Sequence, residues 1–132
     1  MDEPTWITAH AVRAIHSFQL AEHGGQDGVR DPGLLESALN RPKNQWAYAG
    51  ADLSTLAAAY AFGIAKNHPF MDGNKRTAGV VCETFLITNG VTLRVATDDW
   101  YSAFLGLAAG DLSEQHFAQW LREHLAPASD RS

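Results

Sequence analysis

Two apolar segments of helical period, joined by the nine residues His68-Pro69-Phe70-Met71-Asp72-Gly73-Asn74-Lys75-Arg76, constrain this chain more than any other feature. Leu53, Leu56, Ala57, Tyr60 and Ile64 recur three and four residues apart. Asp52 stands ahead of them as an N-cap. Ala57-Ala58-Ala59, Ala61, Gly63 and Ala65 leave this helix thin on several sides, which lets neighbours approach closely. It is therefore expected at the centre of the fold, running towards Asn67 and delivering His68 at its end. Ala78, Val81, Cys82, Phe85 and Leu86 define a second central helix, from about Asn74 to Thr88, stopped by Asn89-Gly90. Cys82 falls inside that apolar stripe and reads as core rather than nucleophile.

The remaining segments read as four further helices. Thr8 caps the first, which carries Ala11, Ile15 and Phe18 and ends near His23 at Gly24-Gly25. His10, His16 and His23 on it are six and seven residues apart, not the three or four that would aim two ligands at one metal ion. They read as solvated or core-edge histidines. Asp31-Pro32 opens a short second helix through Leu34, Leu35, Ala38 and Leu39, with Arg41-Pro42 expected to end it. Residues 42–51 are then a short hairpin, a flap, or a surface loop whose Trp46 and Tyr48 pack down on the core. Val91, Leu93 and Val95 alternate with other residues as a brief extended segment or linker. Thr97 is expected to cap a helix carrying Trp100, Phe104 and Leu107, closed by Gly110. Ser113 caps the last one, with Leu112 and Phe117 as a hydrophobic staple. The expectation is an all-α, single-domain bundle of about six helices around two central ones, spanning residues 1–126, with a frayed tail at 127–132.

Composition narrows the class of function. One domain is what 132 residues ordinarily form. A single cysteine cannot form an internal disulfide, which suits a reducing compartment. The acidic N-terminus lacks the pattern of a signal peptide, and the longest apolar run, 56–65, is too short to span a membrane. A cytoplasmic protein without membrane contact is expected. The formal net charge is −5, and only Lys75 and Arg76 are adjacent among ten scattered basic residues. That pattern argues against direct nucleic-acid binding, which needs a basic patch, and leaves a local positive spot for one phosphorylated ligand.

The nine residues concentrate that spot where a loop becomes a helix. A helix N-terminus offers free backbone N–H groups and about half a positive charge, a ready phosphate site. Gly73 lets backbone approach a ligand without a Cβ in the way. Lys75 and Arg76 oppose the helix dipole, a local conflict of the kind found at functional sites. Asp72 is a hard oxygen donor that could share Mg²⁺ with a nucleotide phosphate. Asn74 could orient a phosphate oxygen or the loop carbonyls, and His68 could take a proton from an attacking hydroxyl. A purely structural reading makes His68 a cap for the preceding helix, Asp72 a cap for the following one, and Pro69-Phe70 a turn with a buried plug. It leaves Asn74, Lys75 and Arg76 clustered without a structural need.

His-Pro-Phe-x-Asp-Gly-Asn-Lys-Arg, residues 68–76, resembles the signature of the Fic/Doc superfamily, and the lysine resembles its Doc (death-on-curing) branch. The likeness extends to Gly28-Val29-Arg30-Asp31 with residues 33–39, to 57–63, to 107–110 and to Trp120-Leu121. It implies a Fic-type helical fold, ATP as co-substrate with Mg²⁺, and a toxin of a bacterial toxin–antitoxin pair that phosphorylates a threonine of translation elongation factor Tu. By matching position it implies His68 as general base, Asp72 as Mg²⁺ ligand, and Gly73, Asn74, Lys75 and Arg76 as the phosphate-binding residues. Fic adenylyltransferases usually have glycine where Lys75 stands and a second arginine where Gly79 stands. Those departures favour transfer of the terminal phosphate over transfer of AMP. None of the six glutamates is followed by the Gly or Asn of the family's inhibitory motif. A separate antitoxin of Phd type is therefore implied. A catalytically silent antitoxin-binding protein is the remaining alternative.

Overall fold

The computed structural model describes residues 1–127. Along the chain they form α1 (Ala9–His23), α2 (Pro32–Ala49), α3 (Leu53–Asn67), α4 (Asn74–Thr88), β1 (Val91–Leu93), α5 (Thr97–Ala109), α6 (Glu114–Glu123) and β2 (Leu125–Pro127). The class is all-α, as the periodicity implies. Four of the side-chain caps expected from sequence form. Thr8 accepts from Ala11 N, Asp31 from Leu34 N, Asp52 from Thr55 N and Ser113 from His116 N. Each such cap is worth about 1 kcal/mol.

α3 is the axis of the fold. Leu56 through Ala61 and Gly63 through Ala65 are buried on it. The small residues do what their size allows: a Cβ on Gly63 would lie 3.2 Å from Ala38 Cα, so α2 and α3 meet backbone to backbone. α4 packs beside α3 through Ala78, Val81, Cys82, Phe85 and Leu86. Burial pushes the Cys82 thiol far above its usual range, which agrees with a core role. Tyr60 fills the space between α3, α4 and the N-terminal segment, tilted against Phe85 at 5.1 Å. Its hydroxyl accepts from Ile7 N at 3.0 Å, and burial raises its pKa to about 12.

Three local expectations are corrected. α2 does not stop at Arg41-Pro42 but continues to Ala49, so residues 42–49 are helix rather than hairpin, flap or surface loop, and Tyr48 is exposed rather than packed on the core. A proline inside a helix removes one hydrogen bond and crowds the preceding turn. Here the Pro42 ring is buried, and the second half of α2 is held from outside. Arg41 pairs with Glu114 of α6, Gln45 Nε2 donates to Glu114 Oε2 at 3.2 Å, and Trp46 packs on the core. Gly50, left-handed at φ +57, ends the helix by donating to Trp46 O. Secondly, Thr97 is the first residue of α5 rather than its cap. Ala96 stands at the N-cap without a side-chain bond, and Asp98 and Asp99 meet the helix dipole instead. Thirdly, the extended segment at 91–93 is paired: β1 and β2 form a two-stranded antiparallel sheet, Val91 opposite Pro127 and Leu93 opposite Leu125. The tail expected to fray lies outside the described residues from 128 onward. Among the described residues no helix is long and apolar enough to cross a membrane.

Candidate active site

The nine-residue stretch begins with a residue in an uncommon conformation. His68 closes α3 at φ +50, ψ +57, the left-handed region, and donates its backbone N–H to Ile64 O. A non-glycine residue there costs on the order of 1–3 kcal/mol and persists only where its surroundings over-determine it. Arg30 supplies that determination. Its Nε donates to His68 O at 2.7 Å and its Nη2 to Asn67 O at 2.8 Å, satisfying two carbonyls at the end of α3. The backbone around Arg30 is tied to the same stretch: Arg30 N and Asp31 N both donate to Pro69 O, and Met71 N donates to Gly28 O. Val29 and Phe70 thus form an antiparallel bridge. Residues 28–31 act as a strap across residues 67–71.

The second half of the stretch is held from below by α1 and from within by Asn74. His16, buried on α1, stacks on Phe70 with centroids 3.8 Å apart and planes 9° from parallel. Its Nε2–H donates to Asp72 O at 2.8 Å. Asn74 is buried, and both ends of its amide are engaged: Oδ1 accepts from Phe70 N and Nδ2 donates to Phe70 O. Of the two roles the sequence offers Asn74, its side chain takes the loop-carbonyl one. Its backbone N–H, at the start of α4, has no intrahelical partner. Asp72 does not cap α4; its Oδ2 accepts from Gln26 N at 2.8 Å. The N-cap is Gly73, left-handed at φ +78, with no side-chain bond to the first turn. A Cβ on Gly73 would face Leu20 and His16 at 3.4 and 3.6 Å, so glycine serves the turn and the close approach of α1.

α4 therefore starts uncapped, with no acidic residue in its first turn and with Lys75 and Arg76 exposed there. It opens into a cavity of about 660 Å³. His68, Asp72, Gly73, Asn74, Lys75 and Arg76 all line this cavity, so every site residue expected from sequence converges on one space. Lys66 Nζ donates to Ala108 O at 3.1 Å, holding the end of α5 against the end of α3. α5 forms the opposite wall with Trp100, Tyr101, Phe104 and Leu105. At buried Gly79 a Cβ would lie in ordinary contact with the Phe104 ring at 3.9 Å, so α4 meets α5 there without a side chain of its own.

Four contributions were not legible in the motif: the Arg30 fork, the His16 stack, the α5 wall and Glu83. His16 carried a usable signal, since Val12, His16 and Leu20 lie one turn apart on the inner face of α1. Glu83 lies on α4 in the cavity wall. Partial burial raises its carboxyl above the usual range, and the neighbouring Trp100 side chain opposes that rise.

The site can be tested for a metal through its donors. Among the described residues no three His, Cys, Asp or Glu side chains gather to hold an ion. Asp72 offers Oδ1 while Oδ2 is held by Gln26. One carboxylate beside an anion site suits Mg²⁺, which takes most of its ligands from phosphates and water.

A Fic/DOC family model matches residues 6–86 of the chain. The protein kinase doc of Escherichia phage P1 is 32% identical over 117 residues, 88% of this chain and 92% of that one. Toxin Doc of Mycolicibacterium smegmatis is 46% identical over 79 residues, 57% of this chain and 59% of that one.

Proposed function

The chain belongs to the Fic/DOC family, and from that premise we propose that it is the toxin of a toxin–antitoxin pair, a phosphotransferase that moves the γ-phosphate of ATP to a protein hydroxyl. The observation that carries this reading is the convergence of His68, Asp72, Lys75, Arg76 and the uncapped N-terminus of α4 on one cavity. Phosphoryl transfer asks a protein mainly to position two reactants and to stabilise charge on the moving group. The free N–H groups of α4 and its positive end would receive the phosphates, and Lys75 and Arg76 would neutralise them. His68, exposed at the cavity edge, would accept the proton of the attacking hydroxyl. Its position is set by Arg30 through two backbone carbonyls rather than through its ring. Asp72 Oδ1 would hold Mg²⁺, which neutralises phosphate charge when bound.

Terminal-phosphate transfer is favoured over AMP transfer by Lys75 and by the glycine at position 79. No side chain reaches from there as a second bidentate phosphate clamp. The protein target in this proposal is elongation factor Tu, with arrest of translation as the consequence, and the restraining partner is a separate Phd-type antitoxin. The test is to incubate the protein with elongation factor Tu and ATP labelled at the α or the γ position. Label from the γ position alone, lost in His68→Ala, is expected. Label from the α position alone would replace this reading with adenylylation, and equal growth of cells expressing wild type and His68→Ala would replace it with a silent binding protein.

A further inference from the structure

His16 does not line the cavity, yet it grips the peptide unit that leads into α4. Buried on α1 and flat against Phe70, it donates from Nε2–H to Asp72 O at 2.8 Å. A carbonyl oxygen only accepts, so this bond fixes the imidazole proton on Nε2. A trans peptide unit is planar, with its C=O and its N–H directed to opposite sides. With Asp72 O turned towards His16, the Gly73 N–H is turned away from it, and Gly73 borders the cavity. No protein acceptor among the described residues takes that N–H. Gly73 is left-handed and Asn74 is helical. A left-handed residue followed by a helical one brings successive N–H groups to one side, a concavity that holds anions. The Gly73 N–H is the first group of that concavity, and Asn74 and Lys75 supply the next two.

The same glycine leaves this arrangement free to fail. The Asp72–Gly73 peptide can rotate as a unit, changing Asp72 ψ and Gly73 φ together, and glycine accepts either sign of φ. Rotated, the unit would present the Asp72 carbonyl oxygen where the Gly73 N–H now stands, and an anion would meet a lone pair instead of a donor. The other bonds of this stretch do not prevent that. Gln26 N holds the Asp72 side chain, and Asn74 holds the main chain of Phe70. Among the described residues, only the His16 bond falls on the 72–73 peptide unit itself. Building on the phosphate reading above, we infer that His16 is a positioning residue: its Nε2–H locks the Asp72–Gly73 peptide in the orientation that offers the Gly73 N–H to the phosphates of the nucleotide. The stack on Phe70, with planes 9° from parallel, fixes the ring that makes the bond. The missing Cβ of Gly73, which would lie 3.6 Å from His16 Cδ2, lets that ring come so close beneath the turn.

The test is calorimetric titration of the full chain with ATP in the absence of Mg²⁺, so that the Asp72 carboxylate does not enter through a metal. His16→Phe keeps a ring on Phe70 and loses the donor, whereas His16→Gln keeps an N–H donor and loses the stack. His16→Phe is expected to bind ATP about tenfold more weakly than wild type, the worth of one hydrogen bond to a charged group. His16→Gln is expected to recover most of that loss. His16→Phe within about twofold of wild type, or His16→Gln as weak as His16→Phe, overturns the inference when circular dichroism and melting match wild type. Wild type alone gives a second reading that needs no variant. In heteronuclear NMR spectra the Gly73 amide proton is expected to move downfield on saturation with ATP, as an N–H does when it donates to a charged oxygen. A Gly73 resonance that stays in place while those of Asn74 and Lys75 move overturns the inference and leaves the nucleotide reading intact. Failure of ATP to bind wild type, with or without Mg²⁺, overturns both.

Discussion

His68 and Arg30 show how the chemistry rests on two residues far apart in sequence. The imidazole is free to act because its placement is handled by the backbone, and the backbone is handled by a guanidinium 38 residues away. Arg30→Ala removes two hydrogen bonds from the end of α3 and releases His68 from its left-handed conformation. We expect kcat to fall by about 10²-fold, the usual effect of a misplaced reacting group, while nucleotide affinity changes little because Lys75, Arg76 and the α4 N-terminus stay in place. Steady-state kinetics combined with calorimetric nucleotide titration separate the two quantities. A parallel loss of affinity would mean that the strap shapes the whole cavity. Arg30→Lys should recover only part of the rate, since a point charge cannot span both carbonyls. None of this was legible in the motif. The fork binds main-chain carbonyls, which every residue possesses, so no side-chain type in the nine residues announces it. The polar motif itself was legible, because its residue types conflict with what a stable helix start prefers.

Individual elements divide along the same line between local and distant causes. α3 and α4 could be drawn from the sequence almost to the residue, because apolar period, caps and stop signals agree. α2 could not. Pro42 is a strong local breaker, and what overrides it are the core and contacts with α6, far along the chain. β2 escaped for a similar reason: three residues make a strand only once β1 is beside them. The close α2–α3 approach can be tested directly. Gly63→Leu would drive a side chain into the Ala38 backbone, where even a Cβ sits at 3.2 Å. Overpacking of this kind should cost about 1–3 kcal/mol, read as a lower denaturant midpoint with an unchanged slope. Stability equal to wild type would show that the two helices part without cost.

Across the whole molecule, electrostatics joins parts that the core alone would leave apart. Asp52, the cap of α3, also binds Arg122 of α6, Nε to Oδ2 at 2.8 Å. The guanidinium holds its pKa at about 2, below the usual 3.8. A carboxyl whose folded pKa is depressed adds stability that is fully present above its unfolded value and is lost as pH falls through the folded one. The Asp52 contribution should therefore disappear between about pH 4 and pH 2. The pair is half-exposed, so its worth is under about 1 kcal/mol. Asp52→Asn keeps the cap and loses the charge. Its melting temperature should lie slightly below wild type at pH 7 and converge with it near pH 2. A constant gap across that range would assign the difference to the cap instead.

α4 also has a second end. At Asn89, just past its C-terminus, the side-chain amide donates to Thr5 O while Oδ1 accepts from Thr5 N, and β1 follows at once to pair with β2. The earliest and latest described segments are thus gathered around one end of a 15-residue helix whose other end follows His68 and Asp72 and carries Lys75 and Arg76, all in the cavity wall. A label or tether attached at Thr5 would therefore join the chain beside the C-terminal end of α4, opposite its Lys75–Arg76 end. Held on a sensor surface by that side, the protein keeps Lys75 and Arg76 at the far end of α4.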